Sequence, residues 1–161
     1  NILNGESGSD TLYGHNRNDT LNGGDNNDYL YGGNGNDTLN GGNHNDILEG
    51  GNHTDILTGG NGNDTLNGGN NNDILTGGVG NDQLSGGSGN DIFQIVTGSG
   101  RDLITDYTSG EDSLRISGSY DQNDFTFSYA NGHTNIYLAS NNDLLAIIQN
   151  TTLTVSDLSI I

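Results

Sequence analysis

"GGNGNDTLN" stands at residues 32–40 and again, letter for letter, at residues 59–67. Only one of its nine residues, the leucine, is apolar. Working outward in steps of nine from Gly5, the register runs for ten units to Gln94 without insertion or deletion. Place one is always glycine. Place six is always aspartate: Asp10, Asp19, Asp28, Asp37, Asp46, Asp55, Asp64, Asp73, Asp82 and Asp91. Place eight is leucine in nine units and Phe93 in the tenth. Place two is glycine except at Glu6 and His15, and place five is asparagine in eight units.

The chain has 161 residues, the length of one domain, yet only 29% are hydrophobic and 28 are glycine. It has no Met, Trp, Pro or Cys. Low apolar content and a net charge of -18 ordinarily mean disorder. A fold therefore needs a stabiliser beyond the chain's own core. The charge indicates its sign. With 21 acidic residues against three basic ones, nucleic acid and anionic membranes are repelled and cations attracted. No run of about 20 apolar residues is present, so membrane insertion is not expected. No basic stretch followed by an apolar run stands among the first residues given, so no signal peptide is expected within them. The lack of Cys leaves neither disulfides nor thiolate metal sites.

Places seven to nine put one inward apolar side chain between two outward ones, the period of a β-strand. Places one to six read as a turn, with glycine supplying positive φ. Place four tests this. It is Gly, Asn or His in nine units, types that tolerate positive φ, and Arg17 in one, where strain or weaker metal binding is expected. Two nonapeptides make one coil of eighteen residues. The ten units predict an all-β parallel β-roll of about five turns, roughly 24 Å long. Leu12, Leu30, Leu48, Leu66 and Leu84 line one inner face, and Leu21, Leu39, Leu57, Leu75 and Phe93 the other.

G-G-x-G-x-D-x-U-x is the established nonapeptide of calcium-binding β-helix repeats. The chain resembles the repeats-in-toxin (RTX, haemolysin-type) family over these ten units. The resemblance implies calcium held between turns stacked on one side. One unit supplies the carbonyls of places two and four and its aspartate. The unit one turn later supplies the carbonyls of places one and three and its aspartate. Gly33, Gly35 and Asp37 would thus share an ion with Gly50, Asn52 and Asp55. The carbonyl donors implied are those of Gly14, Gly23, Gly24, Asp25, Asn26, Gly32, Gly33, Asn34, Gly35, Gly41, Gly42, Asn43 and His44. They continue with Gly50, Gly51, Asn52, His53, Gly59, Gly60, Asn61, Gly62, Gly68, Gly69, Asn70, Asn71, Gly77, Val79, Gly86 and Ser88. About eight ions, four per side, would nearly neutralise the charge. A lone aspartate would more often cap an Asx turn. Ten in one register favour calcium, a hard cation that takes six to eight oxygens, over magnesium.

The register breaks at residue 95. "TGSGRDLIT" (97–105) reads as a degenerate eleventh unit, with Gly98, Gly100, Asp102 and Ile104 in the repeat's places. "DLITDYTSGED" (102–112) resembles the capping segment that follows such rolls, and Asp102 or Asp106 is a candidate for one further ion. The chain therefore divides into a roll, 1–94, and a closing segment, 95–161. In the latter, Phe125, Phe127 and Tyr129 alternate and Asn131-Gly132 signals a hairpin. Ile136 and Leu138 form the return, and 144–149 reads as a buried strand. A small antiparallel β cap is expected over the roll's open end. "VSDLSII" (155–161) reads either as a C-terminal export signal or as a last strand or short helix.

No catalytic constellation is present. His44 and His53 share place four in consecutive units, which puts them on opposite sides. The expected function is a calcium-dependent folding and export module of a larger secreted, bacterial-type protein. Its partners would be calcium and the type I secretion machinery. The alternative is an extracellular binding module on an enzyme or adhesin, for polysaccharide, ice or a surface-layer or adhesin contact, with end-to-end self-association as a further candidate interaction. For this, the outward Thr, Asn and Tyr residues, including Tyr13 and Tyr31, are the candidates.

Overall fold

Each nonapeptide folds as a six-residue strand and a three-residue corner. The computed structural model describes residues 1–97, 99–154 and 157–160. Eleven strands follow the repeat: β1 (Ile2–Ser7), β2 (Thr11–Asn16), β3 (Thr20–Asp25), β4 (Tyr29–Asn34), β5 (Thr38–Asn43), β6 (Ile47–Asn52), β7 (Ile56–Asn61), β8 (Thr65–Asn70), β9 (Ile74–Val79), β10 (Gln83–Ser88) and β11 (Ile92–Val96). β1 to β10 have six residues each, twice the three expected, and β11 has five. β1 to β10 each run through places seven to nine and on through places one to three, because the backbone bends at places one and two instead of ending the strand. The ladder pairs on both sides of place one and skips it, as in Asn40↔Thr58 followed by Gly42↔Gly60.

Odd strands stack on odd and even on even, all parallel, in steps of eighteen residues. The leucines expected to face inward do so. Leu21, Leu30, Leu39, Leu48, Leu57, Leu75, Leu84 and Phe93 are fully buried. Leu3 and Leu12, at the first turn, are only partly buried. The solenoid has about six turns, not five. It begins at β1, ahead of Gly5, and continues past residue 95.

The continuation is built from β12 (Asp102–Ile104), β13 (Ser113–Ser117), β14 (Phe125–Ala130), β15 (His133–Leu138), β16 (Asp143–Ile148) and β17 (Leu158–Ile160). β12 stacks on β10 and β16 on β12, while β13 stacks on β11 and β17 on β13, all parallel. Among the described residues the antiparallel pairs are β14 with β15 and β15 with β16. This small sheet stands at the C-terminal end as expected, joined edge to edge to the roll. Its hairpin turns at Asn131 (φ 56°) and Gly132 (φ 85°), both left-handed as a type I′ turn requires. The last stretch forms a strand, with Leu158 buried against the core. Gly98, Val155, Ser156 and Ile161 lie outside the described residues.

Candidate metal centre

The corners place the aspartates in two columns, one along each edge of the roll. In the first, the Asp10 N–H donates to Asp28 Oδ1 at 2.8 Å, Asp28 to Asp46 at 2.8 Å, Asp46 to Asp64 at 2.8 Å and Asp64 to Asp82 at 2.8 Å. In the second, Asp19 donates to Asp37, Asp37 to Asp55, Asp55 to Asp73 and Asp73 to Asp91, at 2.7–2.9 Å. From Asp19 to Asp91 every place-six aspartate is at most 4% exposed. One oxygen of each carboxylate from Asp28 to Asp91 is thereby satisfied. The other is not. Oδ2 of all ten is buried without a hydrogen-bond partner among the described residues. Such a group costs about 1–3 kcal/mol, and more when charged.

Backbone carbonyls face the same layers. A Cβ built on Gly41 would stand 2.6 Å from the Gly59 oxygen, so the place-one carbonyl points back toward the earlier turn. A Cβ on Gly51 would stand 2.3 Å from the Gly33 oxygen, so the place-two carbonyl points forward. At place four, one on Gly62 would stand 2.0 Å from the His44 oxygen. At place three, the Asn52 carbonyl accepts from Gly35 N–H across the same gap at 3.2 Å. Carbonyls of places two and four therefore meet those of places one and three in one layer beside the aspartates.

Glycine serves two different needs here. Places two and four have positive φ throughout, between 71° and 148°. Place one does not. Its glycine is demanded by space, because a Cβ would lie 2.3–3.0 Å from the aspartate Oδ2 of its own unit. Arg17 adopts φ 82°, beside Asn26 at 84° and His44 at 79°. With Glu6 at 71° and His15 at 74°, three of the five repeat residues that carry positive φ without being glycine or asparagine fall in the first two units, the others being His44 and His53.

From Asp37 to Asp91 burial raises the proton affinity of these carboxylates, whereas the hydrogen bond from the Asn1 ammonium lowers that of Asp19. Asp46 is pushed up to about 6 and Asp55, Asp64 and Asp73 to about 7, chiefly because burial strips their water. The charge of the neighbouring column members adds to this, and the hydrogen bond from the preceding turn opposes it. Among the described residues no three His, Cys, Asp or Glu side chains cluster as a metal-binding group. The donors on offer are carboxylate and carbonyl oxygens, the set preferred by calcium.

A pH dependence follows. Without metal, these groups bind protons more tightly in the folded state than at the ordinary 3.8. The folded state then carries the extra protons between about pH 4 and pH 7, so metal-free stability rises as pH falls through that window. In excess chelator, circular dichroism should show more β structure near pH 5 than at pH 7.5. With calcium present the order reverses, since protons compete for the same oxygens, and the calcium midpoint should move to higher concentration at the lower pH. A metal-free β signal that only declines on acidification contradicts this.

Sequence reasoning missed two asparagine columns. At place five, Asn63 N–H donates to Asn45 Oδ1 and Asn81 N–H to Asn63 Oδ1, both at 2.8 Å. At place three, Asn52 Nδ2 donates to Asn34 Oδ1 and Asn70 Nδ2 to Asn52 Oδ1, at 2.7 and 2.8 Å. The signal was the asparagine frequency at those places. His44 and His53 lie after β5 and β6, in different sheets. His44 Nδ1 accepts from Asn26 N–H, and His53 N–H donates to Asn71 Oδ1. Beyond the regular units, Asp102 is 2% exposed and accepts from Asp82 N–H at 3.3 Å. Asp106 accepts from Ser85 Oγ and from the N–H groups of Gly86 and Gly87. Asp112, which sequence reasoning did not single out, accepts from Asp91 N–H at 2.9 Å.

The family model of the RTX calcium-binding nonapeptide repeat matches residues 4–39, 23–57, 31–66 and 58–93. No curated protein matches the chain in sequence. Among solved structures, the AlgE6R2 subunit of the Azotobacter vinelandii mannuronan C5-epimerase is similar at 25% identity, with TM-score 0.55, over 75% of this chain and 91% of that one. The extracellular lipase LipA of Serratia marcescens aligns at 16% identity with TM-score 0.49. That alignment takes in 95% of this chain, which spans 40% of the lipase's length.

Proposed function

Since the chain belongs to the RTX calcium-binding nonapeptide repeat family, whose repeats bind calcium and occur in secreted proteins, we propose that it is a calcium-folded, non-catalytic module of a larger exported protein. One observation carries this reading. Ten buried carboxylate oxygens lack protein partners and face layers shared with backbone carbonyls. Each ion would sit between corners one turn apart, as between Gly33, Gly35 and Asp37 on one side and Gly50, Asn52 and Asp55 on the other. Ten units provide about eight such positions. Residues 1–94 would hold the ions of the regular units, and 95–161 would close the stack.

The switch is electrostatic. In a low-calcium cytosol the chain repels itself and stays unfolded, in the form a type I secretion channel accepts. Outside, calcium at the roughly 10⁻⁴–10⁻³ M typical of extracellular modules folds it. Eight sites at ten times their dissociation constants supply about 11 kcal/mol by linkage. Limited proteolysis tests this. At about 0.1 μM free calcium the chain should be cut throughout, and at about 5 mM it should resist. Equal cutting at both concentrations overturns the switch.

A second reading, a binding module, draws on one surface feature. Tyr13 packs 6.0 Å from Tyr29 and 6.3 Å from Tyr31, centroid to centroid, and stacks on His15. Tyr13 is 47% exposed. Titration of the calcium-loaded chain with soluble glycans, followed by tyrosine fluorescence, tests this face. An unchanged signal at saturating glycan removes the reading.

A further inference from the structure

The two columns end differently. Along one edge the spacing stretches to 20 residues, from Asp82 to Asp102. The inserted residues do not break the column. Gly80 N–H still donates to the Ser99 carbonyl at 2.7 Å, and a Cβ on Gly100 would stand 1.8 Å from the Gly80 oxygen. Both carbonyls therefore face the gap between these two turns, as their counterparts do in regular units. Asp82 and Asp102 are each 2% exposed, and Asp82 Oδ2 has no partner. Asp82 N–H donates to Asp102 Oδ1 at 3.3 Å, so the two buried carboxylates stand one turn apart in the column, as the regular pairs do. Two buried carboxylates so placed repel unless a proton or a cation lies between them.

Along the other edge the gap is closed by protein. Asp112 Oδ1 accepts from Asp91 N–H, as a place-six aspartate should, but its Oδ2 accepts from Thr108 N–H at 2.7 Å. Asp106 is likewise used on both oxygens. Its Oδ1 accepts from Gly86 N–H, and its Oδ2 from Gly87 N–H and Ser85 Oγ, at 2.6–3.0 Å. These carboxylates are satisfied where the ten repeat aspartates are not.

We propose that Asp82 and Asp102, with the carbonyls of Gly80 and Ser99, hold one more calcium ion outside the nonapeptide spacing, while Asp106 and Asp112 end the columns with protein donors in place of metal. This rests on the regular ladder binding calcium. Half of the site, Ser99 and Asp102, lies beyond residue 93, where the family model's matches stop. A groove of about 370 Å³, lined by Asn63, Asp64, Asn81, Asp82, Arg101 and Leu103, opens beside it and gives an ion a route in. Arg101 lines the same groove, so the carboxylate pair, not the groove, supplies the attraction.

Native mass spectrometry of the full chain in saturating calcium reads the ion count directly. The wild type should carry about nine ions, eight from the regular units. Asp102→Asn should carry one fewer, and Asp106→Asn and Asp112→Asn should keep the full count. A wild type saturating at eight, or an Asp102→Asn chain that keeps nine, overturns the proposal and leaves the regular ladder intact. Loss of an ion from Asp112→Asn overturns the terminator assignment. A chain that binds no calcium at all sinks the ladder itself. Should Asp102→Asn fail to fold, the wild-type count still decides.

Discussion

Stripping calcium at pH 7.5 is expected to turn this β protein into an expanded coil. The reason lies in what remains once the ions leave. The inner faces hold one large apolar residue per nine, and the corners hold buried carboxylates with an unpartnered oxygen. Successive aspartates of a column then repel across a dry layer, and the whole chain carries -18. Protonation would relieve this, but at pH 7.5 it costs the free energy needed to protonate carboxylates above their midpoints. The roll loses on both routes. A compact chain of 161 residues has a radius of gyration of about 15 Å and an unfolded one about 42 Å. Small-angle scattering in excess chelator should move most of the way to the larger value, with loss of the β circular dichroism band. Restoring calcium should restore both. An unchanged radius in chelator would mean that the leucine columns and backbone ladders suffice by themselves.

The second large effect is expected from Gly41→Val. A Cβ at Gly41 would lie 2.4 Å from Asp46 Oδ2 and 2.6 Å from the Gly59 carbonyl oxygen. Neither neighbour can yield without leaving the layer it shares with the proposed ion. The substitution strikes sterics and coordination together, mid-stack, where neighbouring turns cannot fray to accommodate it. Overpacking alone costs about 1–3 kcal/mol, and loss of a donor oxygen adds to that, so about 3 kcal/mol or more is expected. Gly8→Ala is the comparison. Nothing lies within 4 Å of its added Cβ, and the penalty there is backbone strain at φ 113°, about 1–2 kcal/mol. Urea unfolding in saturating calcium measures both. A Gly41→Val chain within about 0.5 kcal/mol of wild type would show that the place-one glycine is not held by crowding.

The roll was legible because each of its needs falls on its own letter at a fixed interval. Leu39 and Leu57 pair in the structure eighteen residues apart because two nonapeptides make one coil, and that interval is visible in the letters. Strand length was not legible. The bend at Gly41 keeps the chain extended on both sides, and glycine looks the same in a bend as in a turn. Place one misled for the same reason: Gly41 answers to the Asp46 carboxylate, a contact between residues that sequence alone does not orient. The asparagine columns were hidden because the partner of Asn63 is Asn45, one coil away, not a sequence neighbour. Beyond residue 95 the interval itself failed. Asp112 takes a place-six position 21 residues after Asp91, and no count in nines reaches it.

Anomalous diffraction at long wavelength from crystals grown in calcium tests the account at its centre. It predicts peaks in the layers between stacked corners, on both edges, each within about 2.6 Å of aspartate and carbonyl oxygens such as those of Asp37 and Asp55. Well-ordered corners with no peak between them would show that the roll stands without metal.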